Sequence, residues 1–380
     1  MLQRPGLRPL LLWLAVAFAG PLCGPVFGFS DTVAVELFQA HRPATRILIE
    51  GPFTVRAPAP KVVAGGLHEI RSDGGRLRIV PVSARLGQGV AARRLIITGV
   101  QGRPVALRYS PSAPKRHYPG TLELSLRPDG RLRVRNVVAS KEYVCAVVGS
   151  ETNPGWGSEA LKAQAVLTQT RLARYKLNDP LGDTTEIEAY LGADYERPAV
   201  RKAVQSVWGQ ILAYGRSPIQ VFYHSTCAGR TSAGDDIFGE KARGMPYLAP
   251  VACPYCRMSP FAKPTVKRIP RRPFEKVFGP GLPSIVTADG AGRALEVALG
   301  DGRRMRGYEF WIRLGQTLGW DKAPGLRMTI TRAADGQVEV SSTGAGHGVG
   351  LCQWGAAEQA RLGRSYREIL NFYLPGTEIL

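Results

Sequence analysis

The sequence predicts an α+β fold: a β-rich N-terminal region over residues 29–117, then a mixed α/β region over residues 118–380. Three observations carry that prediction. Residues 32–136 alternate apolar and polar side chains in short runs separated by turn signals. The stretch Ser158–Lys176 has helical apolar spacing over its whole length. The segment Gly344–Ala356 holds five glycines within twelve positions and suits neither a packed helix nor a strand.

The 380 residues suffice for two or three domains with well-buried cores, and 44% apolar residues is the composition of a folded chain. A net charge of +20 favours polyanions, among them nucleic acid, anionic lipid and acidic wall polymers. The positive charge is scattered, without a long Lys/Arg run, a zinc-finger spacing or a helix-turn-helix pattern. A nucleic-acid partner is therefore not expected. At the N-terminus, Arg4 and Arg8 precede the apolar run Leu10–Ala19, which is followed by Gly20, Pro21 and Gly24. That is the form of a secretory signal peptide over residues 1–28, and it implies export to the periplasm or cell envelope. The apolar run is too short to span a bilayer comfortably. Beyond it lie Cys145, Cys227, Cys253, Cys256 and Cys352, an odd number, so that disulfide pairing would leave one thiol over.

Element by element, strands are expected at residues 33–37, 46–50, 76–80 and 121–126, with turns at Asp73–Gly75 and Asp129–Gly130. Residues 104–119 read as a loop. Lys141–Val148 is apolar with helical spacing and is broken by Asn153–Gly157. The helix Ser158–Lys176 is expected to be capped by Ser158, with Leu161, Ala165 and Leu172 on one face. A helix over residues 198–208 leads into a strand pair around residues 209–223. The Pro/Arg-rich stretch 263–283 reads as a surface linker. Strands return between residues 293 and 340, before the glycine segment and a last helix over Ala356–Leu362.

Three constellations could carry chemistry. Glu151 follows an apolar segment and precedes a turn, with Trp156 close by. A carboxyl against aromatic surface holds its proton more tightly, as a general acid for glycosidic cleavage must. The other reading is that Glu151 or Glu159 only complements a helix dipole. His224 and Cys227, with Cys253 and Cys256, form two short pairs that suit a four-ligand zinc site. A disulfide among these thiols and a redox dithiol at Cys253 and Cys256 stand beside that reading. In the glycine segment, His347 and Gln353 are the polar groups left to meet a ligand; the other reading makes it a turn, with His347 capping the helix after it. The loop Ala228–Asp236, with Thr231 in it, either binds a polar ligand or simply forms turns. No Ser-His-Asp arrangement and no phosphate-binding loop is legible, and no small-molecule redox cofactor is expected.

Taken in order, these motifs resemble the SpoIID/LytB family, the stage II sporulation protein D and amidase-enhancer proteins. The resemblance runs from Tyr118–Leu124 through Glu142–Val144, Val148–Glu151, Glu159–Val166 and Phe222–Thr231 to Gly346–Ala356 and Tyr373–Thr377. It implies an exported protein that binds peptidoglycan glycan strands, acting as a lytic transglycosylase or beside a cell-wall amidase. Carried over by motif, Glu151 is the acid/base that yields 1,6-anhydromuramyl ends, and no second carboxylate is required. His347 and Gln353 then line the glycan cleft, and Ser225 and Thr231 of the middle motif join them. Zinc held by His and Cys in family members agrees with His224, Cys227, Cys253 and Cys256 as ligands. The chain departs from the family at Leu167-Thr168-Gln169-Thr170-Arg171, where Ala-Ala-Arg-Thr-Tyr is usual, and at Cys352, where serine is usual.

Overall fold

Alternation along the N-terminal segments places every second side chain on one face, and pairing those faces builds an eleven-stranded sheet. The computed structural model describes residues 30–39, 44–57, 59–82, 89–153, 155–175, 181–183 and 188–380. The proposed leader, residues 1–28, lies outside the described residues.

The strands are β1 (Thr32–Glu36), β2 (Arg46–Arg56), β3 (Pro60–Asp73), β4 (Arg76–Pro81), β5 (Val90–Ala92), β6 (Arg94–Gly99), β7 (Val105–Arg108), β8 (Arg116–Tyr118), β9 (Thr121–Leu126), β10 (Leu132–Ala139) and β11 (Leu181–Gly182). They run in the order β11-β1-β10-β9-β6-β2-β3-β4-β5, with β7 joining β2 to β8. The pairs are antiparallel except β1 with β11, and Val33 lies opposite Val138 while Ile47 lies opposite Ile70. Ile49, Phe53, Val55, Leu95, Ile97, Leu122 and Leu124 are fully buried, which fixes the register, since a one-residue slip would turn them all outward. Residues 104–119 are not a plain loop. Val105 and Leu107 point into the core and draw β7 onto β2.

Helix α1 (Ser140–Glu151) lies against this sheet's end at β1 and β10, and α2 (Ser158–Ala173) packs on α1. The expected cap at Ser158 is absent: Gly157 is the capping residue and no side chain accepts there. The start of α2 is tied down instead through Glu159, whose carboxylate takes the Lys162 ammonium at 2.6 Å and the Tyr366 N–H at 2.9 Å. Nor is α2 one-faced. It packs against α1 and against α3 (Pro198–Ser206), α7 (Gln353–Arg361) and α8 (Tyr366–Tyr373), and so buries even Gln164, Thr168 and Gln169.

Between α3 and α7 come α4 (Gly234–Phe238), α5 (Arg271–Phe278), α6 (Gly307–Leu318) and small sheets. These sheets are formed by β12 (Leu212–Tyr214) with β13 (Ser217–Pro218) and the C-terminal β22 (Glu378–Ile379), β14 (Tyr223–His224) with β21 (Leu351–Cys352), β15 (Thr265–Ile269) with β20 (Val338–Thr343) and β19 (Arg327–Arg332), and β16 (Ser284–Ala288) with β17 (Ala294–Ala298) and β18 (Arg304–Arg306). The stretch 263–283, expected as a linker, is ordered as β15 and α5. Its charged residues conceal Phe274 and Phe278, one helical turn apart and both buried, and Phe278 stacks on Phe310 of α6 at 4.3 Å.

Candidate active site

Helix α1 stops at Glu151 because Thr152 turns extended and folds its hydroxyl back on the Val148 carbonyl at 2.6 Å. The last side chain of the helix thereby leaves the core and enters a cleft of about 780 Å³. The Ala189 N–H donates to Glu151 Oε1 at 2.6 Å. Burial raises the carboxyl above the ordinary glutamate range, and this outweighs the Ala189 N–H, the Tyr223 hydroxyl, Gln353 and Arg171, all of which favour the anion. Trp156 is not the aromatic wall expected from its place in the sequence. It packs edge-on against Trp354 at 5.4 Å, and the cleft takes its aromatic surface from Phe222, Tyr223, Phe238, Tyr308, Trp311 and Trp320.

The glycine segment forms the cleft's second side because it lies flat against residues 222–226. Tyr223 pairs with Leu351 and His224 with Cys352 in a short parallel ladder. At Gly350, with φ 72°, a Cβ would strike the Phe222 carbonyl, so only glycine permits that approach. His347 and Gln353 both reach the cleft, and His347 caps no helix, since α7 begins at Gln353 with Cys352 as its cap. Burial and the nearby Arg293 lower His347 to about 3, and its Nδ1 accepts the Val349 N–H at 3.1 Å. The Gln353 amide donates to the Glu151 main-chain carbonyl at 3.2 Å and to Gln164 Oε1 at 3.4 Å. Ser225 also lines the cleft. Thr231 does not: it is buried, accepting the Val251 N–H at 2.7 Å and donating back to that residue's carbonyl.

A second carboxylate, unexpected from the sequence, lies behind the first. Glu188 is fully buried and receives the Tyr143 hydroxyl at 3.0 Å and the Thr168 and Tyr223 hydroxyls at 3.3 Å. Arg171 Nε stands 3.3 Å from the same carboxylate, and its Nη2 donates to the Val221 carbonyl at 3.2 Å. Burial pushes Glu188 up to about 7 against the pull of Arg171, and the nearness of Glu151 adds to the rise. Its only sequence signal was indirect, the displaced Arg171. Gln169, which stands where the family's arginine was expected, is fully structural: it donates to the Val207 carbonyl at 3.0 Å and accepts the Gly209 N–H at 2.8 Å.

Behind β14 and β21 lies a group of four buried thiols, Cys227, Cys253, Cys256 and Cys352, whose sulfurs all lie within 4.8 Å of one another. Four thiols gathered this closely suit a soft divalent ion such as zinc. Cys352 takes the fourth position that the spacing had given to His224. His224, although it lies opposite Cys352 in the ladder, stands at the cleft wall, where its Nδ1 meets the Val349 carbonyl at 3.1 Å. Burial and the neighbouring His347 hold His224 well below the usual imidazole range. The sulfur group is closely supported. Tyr373 lies 3.1 Å from Cys253 Sγ, and Arg293 Nη2 donates to the Cys227 carbonyl at 2.6 Å. Cys145 sits apart, a buried thiol pushed up to about 11 by that burial.

A family model described as Stage II sporulation protein (SpoIID) matches residues 128–214, which run from β10 through α1, α2 and α3 to β12. An uncharacterized protein of Brachyspira hyodysenteriae is 30% identical over 261 residues, covering 65% of this chain and 68% of its own length. Stage II sporulation protein D of Bacillus subtilis is 29% identical over 267 residues, 63% of this chain and 74% of that protein. The amidase enhancer of Bacillus subtilis is 22% identical over 293 residues, 61% of this chain and 39% of that protein. With relatives aligned over more than two thirds of their length and the family model falling on the helices that present Glu151, this chain belongs to the SpoIID family.

Proposed function

We propose that this protein is an exported lytic transglycosylase that cleaves peptidoglycan glycan strands stripped of their stem peptides, with Glu151 as acid and base. The observation that carries the reading is a carboxyl raised by burial at the wall of a large aromatic-lined cleft. With burial tightening its hold on the proton, Glu151 gives that proton to the leaving glycosidic oxygen as the bond to the anomeric carbon breaks. The resulting carboxylate takes the proton from the muramic acid 6-hydroxyl, whose oxygen closes on the anomeric carbon. The product is a 1,6-anhydro end, and no water is consumed. Gln353 holds the Glu151 backbone, and the neutral His347 and His224 offer hydrogen bonds without adding charge. Phe238, Tyr308, Trp311 and Trp320 provide flat apolar faces for sugar rings, while Lys241 and Arg306 suit the lactyl carboxylates that bare muramic acid exposes.

Zinc is the ion we assign to the sulfur group. Cys227, Cys253, Cys256 and Cys352 would hold it as four thiolates in a closed structural site, since no ligand position is left for substrate.

A second reading, a glycan-binding protein that assists a cell-wall amidase without cleaving, is favoured by the similarity to the amidase enhancer. The two separate on one experiment. Mature protein and Glu151→Gln are incubated with peptide-stripped glycan strands, and the soluble products are weighed by mass spectrometry. Anhydro-ended fragments from the unmodified protein alone are expected. Binding without fragments from either protein would leave the enhancer role.

A further inference from the structure

We infer that Glu188 is a positioning residue for Glu151: by engaging Arg171 and the Tyr223 hydroxyl, it keeps the proton of the pair on the carboxyl that faces the cleft. The inference rests on the glycan-cleavage reading above for its purpose, but on the Glu188 geometry for its content. Two carboxyls and one guanidinium share this part of the site. With both acids ionised they carry one uncompensated negative charge where water is excluded; with one proton between them they are neutral. A buried group of this composition therefore keeps a proton well above the ordinary carboxyl range.

Which carboxyl holds it follows from the donors. Glu188 has three hydroxyls, from Tyr143 on α1, Thr168 on α2 and Tyr223 on β14, and Arg171 besides. The Glu151 carboxylate has the single strong Ala189 N–H, with Tyr223, Gln353 and Arg171 contributing less. Donors and cation favour the anion at Glu188 and leave the proton at Glu151. The other ionisable groups around the pair do not change the sign. Tyr143, Tyr190 and Tyr223 are pushed well above the phenol range by burial and stay neutral, and His347 is neutral across the cleft. Removing the Glu188 charge would free Arg171 to compensate Glu151, whose proton would then be lost at lower pH. The departure at Arg171 and the carboxylate at Glu188 are two halves of one device.

The test follows the Glu151 carboxyl directly, by ¹³C NMR of glutamate-labelled full-length mature protein, with the signal assigned through Glu151→Gln. In Glu188→Gln, an isosteric change, the Glu151 midpoint should fall by about one pH unit or more, the size of an opposite charge brought within reach. The alkaline limb of kcat/KM for glycan cleavage should move down by the same amount, with KM unchanged. In Arg171→Gln the midpoint should move up instead, and this variant carries the test if Glu188→Gln does not fold. An unmoved Glu151 midpoint in a folded variant, or a rate loss uniform across pH, would overturn the positioning role. The titration needs no turnover. Protein that shows the expected midpoint shifts but cleaves no glycan keeps the Glu188 device and removes only the catalytic reading.

Discussion

The Gln353 side chain spans 202 residues of sequence to donate to the Glu151 main-chain carbonyl at 3.2 Å. That carbonyl belongs to the last turn of α1, where helix carbonyls lack intrahelical donors, so the glutamine serves as a C-terminal cap delivered from another helix. The same amide meets Gln164 of α2 at 3.4 Å. The glycine segment is thereby fastened to the residue proposed as the acid.

Gln353→Ala should lower glycan cleavage without abolishing glycan binding. Loss of one buried hydrogen bond costs about 1–3 kcal/mol, and a misplaced acid loses rate steeply. A kcat reduced at least tenfold with KM nearly unchanged is expected in steady-state assays. An unaltered kcat would mean that the bond does not orient Glu151.

Cys352→Ser should empty the sulfur site. Metal analysis of protein purified without chelator should give one zinc per chain, against none or little for the variant. Calorimetry should show a clear drop in Tm for the variant and for chelator-treated protein, because metal affinity is spent on the folded state. Cys145→Ser, remote from the group, should retain its metal. Equal zinc content in unmodified and Cys352→Ser protein would return the fourth position to another ligand.

Arg293 is a fully buried guanidinium beside the sulfur group, donating to the carbonyls of Cys227 at 2.6 Å and Arg230 at 3.0 Å and to the Ser232 hydroxyl at 3.1 Å. Arg293→Met should cost about 3–5 kcal/mol in denaturant unfolding, since it strands these acceptors. Gly348→Ala should destabilise in the same direction, because at φ 84° its Cβ would land on that guanidinium. Wild-type stability in either variant would contradict the packing described.

Stability should also fall as pH rises through the Glu151–Glu188 pair. Between them, Glu151 and Glu188 keep one proton up to about 7 in the folded protein, against 4.5 for a free glutamate. Between those values the folded state holds more protons than the unfolded one, so the stabilisation present below pH 4.5 is lost on the way to pH 7. The loss amounts to about 3 kcal/mol. Subtracting the pH–stability curve of Glu188→Gln from that of the unmodified protein should isolate this slope. A flat difference would show that the pair holds no extra proton in the folded state.

Much of the architecture was legible where period and burial coincide. The two-residue alternation of Ile47 and Ile49, or of Leu122 and Leu124, reads as strand because one face is buried and the other is not. It failed where burial is uneven. Val105 and Leu107 were hidden in a Pro-rich stretch, and Phe274 and Phe278 lie among arginines and lysines whose charge suggested solvent. The even burial of α2 was likewise invisible, since Gln164, Thr168 and Gln169 look like an exposed face until other helices cover them.

The sequence by itself determined the family, the order of its motifs and the position of Glu151 at a helix end, because these are local patterns. The tertiary structure decided which residues share a site. Packing leaves His224 at the cleft and gathers Cys352 with Cys227, Cys253 and Cys256, an exchange that no spacing rule contains. It also brings Glu188 and Arg171 behind Glu151. Ligand sets and shared protons depend on distance in space, and residues far apart along the chain acquire that distance only when the chain has packed.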